Sequence, residues 1–436
     1  MSNTAVPTRT ETAGHGTASA WLVDATRLVL GAGLLTLLLM TFSPFAVSFE
    51  GSRDAGDIVN QVGYSALAAV ALAGHLMFTG RAVALSLLRP AWLLMAAWLV
   101  VSALFALSPQ NALRTAAFTI LAMIAVTGAL SLPRDARSFR ICLTIAALAV
   151  LGLSYVGIVA MPGVAIHDGG GTEPQHAGLW RGIYSHKNVA GAVMGALFFC
   201  GLYLFRSGQR WTGLLIAGLS VLFVLKTGSK TATALLPAVA CLVIGLRLFG
   251  GRLLPAIAVG GAVAAMALLT LGTVLSPTLD SILQAVLPGT TFTGRTDLWR
   301  FALELFQGRE WTGFGLNSFW QTNVAYGAER NFELAWDTRS SPNGHNGFLD
   351  VALATGWPGL CLAVLVLVLL PLRDYVRIGN APEDQRLADM FLMILAFLLL
   401  NSFLESFLFE RANPIWMILW MAVAGLRLLS CHRLQR

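Results

Sequence analysis

Three short segments gather the residue types on which group-transfer chemistry could rest. Leu179-Trp180-Arg181-Gly182-Ile183-Tyr184-Ser185-His186-Lys187-Asn188 runs straight into an apolar stretch. Phe292-Thr293-Gly294-Arg295-Thr296-Asp297-Leu298-Trp299 leads into residues Phe301, Ala302, Leu305 and Phe306 at helical spacing. Ser341-Pro342-Asn343-Gly344-His345-Asn346-Gly347 precedes the apolar stretch Phe348 to Thr355, which Gly356 and Pro358 should end. Each segment puts a basic or polar group at an expected helix N-terminus, where free N–H groups and the positive dipole end favour an anion. Arg295, together with Arg181 and Lys187, could therefore grip a phosphate or diphosphate, because the guanidinium fork meets phosphate oxygens in pairs. His345 could take the proton of a hydroxyl near neutral pH.

Plainer readings compete. Arginines at a membrane surface snorkel to lipid phosphates, and a lone loop histidine is more often structural. Trp180, Trp299, Trp311, Trp320 and Trp336 could stack on sugar rings, but such residues also form interfacial belts. Lys226-Thr227-Gly228-Ser229-Lys230-Thr231 has the Gly-Lys pair of a phosphate loop broken and no strand before it, so that reading is rejected. Glu50, Asp54 and Asp57 could bind a divalent metal, although a solvated acidic loop explains them as well. His75 reads as a packed or hydrogen-bonded core residue. Asn401, Glu405, Glu410 and Arg411 read as an electrostatic tie between loops. No zinc-protease or nucleophile-elbow pattern is present.

The elements that must position these groups follow from composition. Of the 436 residues, 56% are apolar and only 12% charged, with a mean hydropathy of +0.71. Soluble domains carry about twice that charge, which excludes a soluble enzyme, a disordered chain or an ordinary nucleic-acid binder despite a net charge of +7. Apolar runs of span length predict an all-α polytopic membrane protein with about twelve transmembrane helices. They lie near 26–48, 62–80, 91–107, 113–132, 139–161, 188–206, 211–225, 231–249, 253–275, 357–372, 387–404 and 413–430. Residues 1–25 read as a disordered cytoplasmic tail before a retained helix, not as a cleaved signal. Residues 26–275 hold the first nine spans, 276–356 a large loop with amphipathic helices on the membrane surface, and 357–436 the last three spans and a short tail. A connection as long as 276–356 is usually functional. Cys142, Cys200, Cys241, Cys361 and Cys431 fall in apolar runs without metal-ligand spacing and read as packing residues.

Placing the N-terminus in the cytoplasm puts 17 of the 29 basic residues inside with 7 of the 22 acids. The positive-inside rule thus sets both termini in the cytoplasm and the three segments on the outer face. Lys187, Lys226, Lys230, His167, His176 and His186 break the charge rule there. Span centres hold almost no ionisable groups, which argues against a proton-coupled carrier. Matching halves with midplane breaks, as transporters show, are not visible either.

Taken together, Arg181-Gly182-Ile183-Tyr184-Ser185-His186-Lys187-Asn188, Thr293-Gly294-Arg295-Thr296-Asp297-Leu298-Trp299 and Gly344-His345-Asn346-Gly347 resemble the O-antigen ligase and O-antigen polymerase (Wzy-type) superfamily, within it the ExoQ-like exopolysaccharide polymerases. Gly313-Phe314-Gly315 and Glu405-Ser406-Phe407-Leu408-Phe409-Glu410-Arg411 add to the resemblance, which covers about 180 to 411. It implies a GT-C-like bundle with a large periplasmic loop in the bacterial inner membrane, and an inverting glycosyltransferase that needs no metal or other cofactor. The implied donor is a glycan on undecaprenyl diphosphate and the acceptor another glycan or a lipid-linked one. Implied partners are the lipid bilayer and other polysaccharide export proteins, with no nucleic acid. The family's catalytic histidine maps onto His345, and its diphosphate-holding arginines onto Arg295 and Arg181. Lys187 and Lys230 are further candidates for diphosphate contact, the latter standing where relatives commonly have arginine. His186, Asn346, Glu405 and Arg411 are candidates for support. Polymerase is the first reading, ligase to lipid A core or a protein hydroxyl the second, and polysaccharide transporter the third.

Overall fold

A computed structural model describes residues 13–46, 58–169, 174–292, 294–331, 334, 336–411 and 413–432. Among these the regular structure is helical, with a single isolated bridge between Ile166 and Trp180. Nine described helices are long and apolar enough to cross a membrane, or ten if the bent pair Arg81–Leu87 and Pro90–Leu104 is one span. The chain is an all-α polytopic membrane protein, and nine or ten of the described helices meet the length and hydropathy of a span, against the twelve expected from apolar runs. Lys230–Gly245 is apolar but short. Pro382–Asn401 has the length, yet Glu383, Asp384, Arg386 and Asp389 crowd its start.

That last helix explains itself by its place. Pro382–Asn401 and Pro414–Cys431 are buried along nearly their whole length, with Lys187–Arg206 and Pro109–Ser131 packed around them. A charged group there survives only when paired. Asp389 meets Arg206 at 2.9 Å and Arg247 at 3.5 Å and accepts the Tyr375 hydroxyl at 2.9 Å. Glu383 pairs with Arg140 and accepts from Tyr203, and Asp374 pairs with Arg89 at 2.5 Å. These pairs form a belt at one end of the bundle. Lys187–Arg206 runs from the opposite end to this belt, a rise of about 30 Å for its 20 residues. The outermost helices expose Val159, Trp211 and Leu248, the kind of surface that a bilayer covers.

Several expectations change. The first helix, Ala13–Leu39, begins inside the stretch read as a tail. Phe348–Thr355 and the next expected span form one 31-residue helical run, Gly347–Arg377, kinked at Gly356 where φ is 71°. The amphipathic helix Arg295–Phe306 does not lay its apolar face on the membrane. Trp299, Ala302 and Phe306 bury it against Phe314, Phe319, Leu349 and Leu353 in a second, smaller core. The packing reading holds for Cys142 and Cys200, whereas Cys241, Cys361 and Cys431 are exposed. His75 is buried, with Nδ1 2.7 Å from the Ser131 hydroxyl. Glu50, Asp54 and Asp57 lie outside the described residues, as does Thr293.

Candidate active site

At the end of the bundle away from the arginine belt, the three segments converge on one carboxylate. Glu405 follows the buried helix Pro382–Asn401, in the turn that leads to Pro414–Cys431. Its Oε1 accepts from Asn188 Nδ2 at 2.8 Å and lies 3.3 Å from Arg295 Nη2. Its Oε2 lies 3.8 Å from His345 Nδ1. Burial alone would push this carboxyl up, but the His345 ring, then Arg295 and His186, hold it below the ordinary glutamate value. Glu405 is thus an anion among basic groups contributed by all three segments.

Each segment presents its group for a local reason. Gly294 caps the Arg295–Phe306 helix at φ 82°, a left-handed conformation that suits glycine, so Arg295 opens the helix at its first turn. The turn that carries His345 is clamped atom by atom. Trp299 Nε1 donates to the Gly344 carbonyl at 2.8 Å, the Gly344 N–H donates to both Asp350 oxygens at 3.1 and 3.2 Å, and Asn343 Oδ1 accepts the His345 N–H at 3.0 Å. A Cβ on Gly344 would stand 2.5 Å from Asp350 Oδ1, so a larger residue would displace the carboxylate that clamps the turn. His345 itself is held at φ 45°, uncommon for a residue with a side chain. Such strain gathers at functional sites. Its side chain is one-third exposed, and Nδ1 is buried without a hydrogen bond, facing Glu405.

Other candidates have different duties. Asn346 caps the Gly347–Val364 helix, its Oδ1 accepting from the Phe348 and Leu349 N–H groups at 3.1 Å each. Arg181 is buried, with Nε donating to the Val164 carbonyl at 2.8 Å and Nη1 to that of Ser185 at 3.3 Å. Desolvation lowers its pKa, opposed by Asp168. This arginine builds the turn that delivers His186, Lys187 and Asn188. His186 caps the Lys187–Arg206 helix, its Nδ1 accepting from the Asn188 N–H at 3.2 Å. Lys187 opens that helix, one residue before the Asn188 that holds Glu405. Lys230 is exposed at the start of Lys230–Ala240, and the Ser229 turn before it packs on Gly191 of the Lys187 helix. Arg411 lies over the Phe118 ring, 5.9 Å from its centroid. Burial and Arg114 lower its pKa, against Glu410.

Two contributors escape a motif-by-motif reading. Asn188 ends a segment whose basic residues draw attention first. Asp350 sits in an apolar helical stretch, and a lone carboxylate there was its only signal. It accepts from Trp320 Nε1 at 2.7 Å as well as from Gly344, and so ties an aromatic ring to the His345 turn.

Residues 215–364 match the O-Antigen ligase family. This chain is similar to the O-antigen ligases. The matched region contains Lys230, Arg295 and His345, two of which belong to the knot around Glu405. The chain is also 31% identical over 241 residues to the exopolysaccharide production protein ExoQ of Rhizobium meliloti (strain 1021), an alignment covering 51% of this chain and 53% of that protein. It thus spans about half the length of that curated relative. The resemblance to the O-antigen ligase superfamily and to its ExoQ-like branch therefore rests on whole aligned regions as well as on the motifs.

Proposed function

We propose that this chain is a membrane glycosyltransferase that moves a glycan from undecaprenyl diphosphate to an acceptor hydroxyl on the periplasmic face of the bacterial inner membrane. The observation that carries this reading is the pairing of Arg295 and His345 across one carboxylate, inside a region similar to O-antigen ligases. A diphosphate needs its charge neutralised before it can leave, which the Arg295 fork supplies with help from Lys187 and Lys230. The acceptor needs a base, which His345 supplies. The acceptor oxygen attacks the anomeric carbon from the side opposite the diphosphate. The carbon–oxygen bond to the diphosphate breaks, undecaprenyl diphosphate leaves with the electron pair, and His345 takes the hydroxyl proton. The anomeric centre inverts.

Glu405 serves two roles in this reading. It occupies Arg295 until a diphosphate displaces it, and it stabilises the imidazolium that forms on His345. Polymerisation of exopolysaccharide repeat units is the favoured reaction, because the relative that supports it is an exopolysaccharide production protein. Transfer to lipid A core or a protein hydroxyl is the alternative. The test uses purified protein in nanodiscs with a lipid-linked oligosaccharide. Consumption of the donor with growth of a lipid-linked polymer supports polymerisation, and polymer moved off its carrier supports ligation. Donor left intact at protein concentrations above its own overturns the enzyme reading.

A further inference from the structure

Beside the Glu405 knot lies an open cleft with a cavity volume of about 90 Å³. Its walls come from the 315–320 turn, from Pro342 and Asn343, from the helix bearing Asp350, and from the 406–410 turn. Asn343 stands two residues before His345 and Ser406 one residue after Glu405, so the cavity lies one or two residues along the chain from the reacting groups, which themselves do not line it. Its chemistry differs from theirs. Asp350 and Glu410 line it, and among the described residues no lysine, arginine or histidine does. An anion finds no cationic side chain there among the described residues.

The aromatic candidates sort themselves by this cavity. Trp299 is fully buried and Trp311 is 77% exposed, whereas Trp320 forms part of the wall. Its indole is fixed edge-on to Phe319, with centroids 4.7 Å apart, and by its hydrogen bond to Asp350. A held ring beside amides and carboxylates offers a flat apolar face with hydrogen-bonding groups at its edge, which matches a sugar's axial C–H face and its ring of hydroxyls. Backbone strain gathers at the same place. Asn317 and Phe409, at φ 55° and 56°, both line the cavity, and His345 is next to its Asn343 wall.

We propose that this cavity is the subsite for the acceptor sugar, that it takes a neutral, hydroxyl-rich residue, and that Trp320, Asn317 and Asn343 recognise it. This rests on the glycosyltransferase reading above. The division of charge then separates the two substrates: the diphosphate belongs with Arg295 and Lys187, while two carboxylates keep it out of the acceptor side. Asp350 is a positioning residue here, since one side chain holds both the Trp320 ring and the Gly344 turn.

The test is a binding measurement that does not depend on turnover. The probe is the free repeat-unit oligosaccharide released by mild acid from the host's lipid-linked glycan, observed by saturation-transfer NMR on the protein in nanodiscs. Inorganic diphosphate, followed by titration calorimetry on the same nanodiscs, serves as the second probe. Asn317→Gly removes the amide while tolerating the left-handed backbone, and Trp320→Ala removes the ring. Each should weaken oligosaccharide binding about five- to tenfold, the worth of one hydrogen bond or more, and leave diphosphate binding unchanged. Unchanged oligosaccharide binding in the Asn317 variant, or no saturation transfer from wild type to millimolar oligosaccharide, would overturn the subsite. Preferential binding of a uronate-bearing oligosaccharide over a neutral one would overturn its charge assignment. Donor consumption by wild type in the same nanodiscs reports separately on the glycosyltransferase reading.

Discussion

Replacing Glu405 by glutamine changes one charge and almost no volume, so it isolates what that carboxylate does to its two neighbours. Asn188 at 2.8 Å can still donate to the remaining amide oxygen, which keeps the turn in place. Arg295 at 3.3 Å is the looser partner, with both side chains 21% exposed. A charge-assisted contact is worth about 1.5–3 kcal/mol, and its length and exposure put this one at the low end, about 1.5 kcal/mol. A donor diphosphate must displace that contact. Removing it should therefore tighten donor binding by up to about tenfold, since about 1.4 kcal/mol is a factor of ten. At His345 the effect has the opposite sign. An imidazolium forming 3.8 Å from Oε2 loses its counter-charge, and kcat should fall about 10- to 100-fold, part of the whole worth of a general base. Single-turnover rates with radiolabelled lipid-linked donor, together with donor titration in nanodiscs, separate the two. Donor affinity and rate falling together, or a rate left unchanged, would refute the displacement argument.

Four further outcomes follow from the same geometry. His345→Ala should lower the single-turnover rate by about 100- to 10,000-fold with donor affinity little changed, while Arg295→Lys keeps the charge but loses the fork and should weaken both; a fully active His345→Ala would remove it from the mechanism. Asn346→Ala deletes an acceptor for two helix N–H groups and should cost about 1–2 kcal/mol of stability, read as a lower thermal midpoint in detergent; an unmoved midpoint would contradict the cap. Because the Glu405 carboxyl is held below its ordinary 4.5, the stability it contributes is present above that value and is lost as pH falls through the lowered one; the difference in melting temperature between wild type and Glu405→Gln should shrink as pH falls below 4.5. With the N-terminus in the cytoplasm, Arg330→Cys should react with an impermeant thiol reagent added from the periplasmic side of intact inner membrane; labelling only after that membrane is permeabilised would reverse the orientation.

Apolar runs alone determined that this chain is a polytopic helical membrane protein, because the need to satisfy backbone hydrogen bonds in lipid leaves a long apolar segment few other conformations. The same logic does not fix the number of spans. Lys230–Gly245 reads as a span from composition, and whether a short helix crosses depends on its neighbours. The three polar segments were also legible one by one, since Gly294, Gly344 and the asparagine caps are local requirements written within a few residues. Their meeting was not. Glu405 is 217 residues from Asn188 and 110 from Arg295, and only the packing of Pro382–Asn401 against Lys187–Arg206 carries one to the other. Arg181 looked like Arg295 in sequence, two arginines beside glycines near a helix start. The fold buried one on backbone carbonyls and turned the other toward an acidic partner, a choice made by contacts such as that of Arg181 with Val164, 17 residues away. The cavity beside His345 is legible only in three dimensions for the same reason: its walls come from turns separated by a helix or more, and a hollow between distant segments leaves no period or motif in any of them.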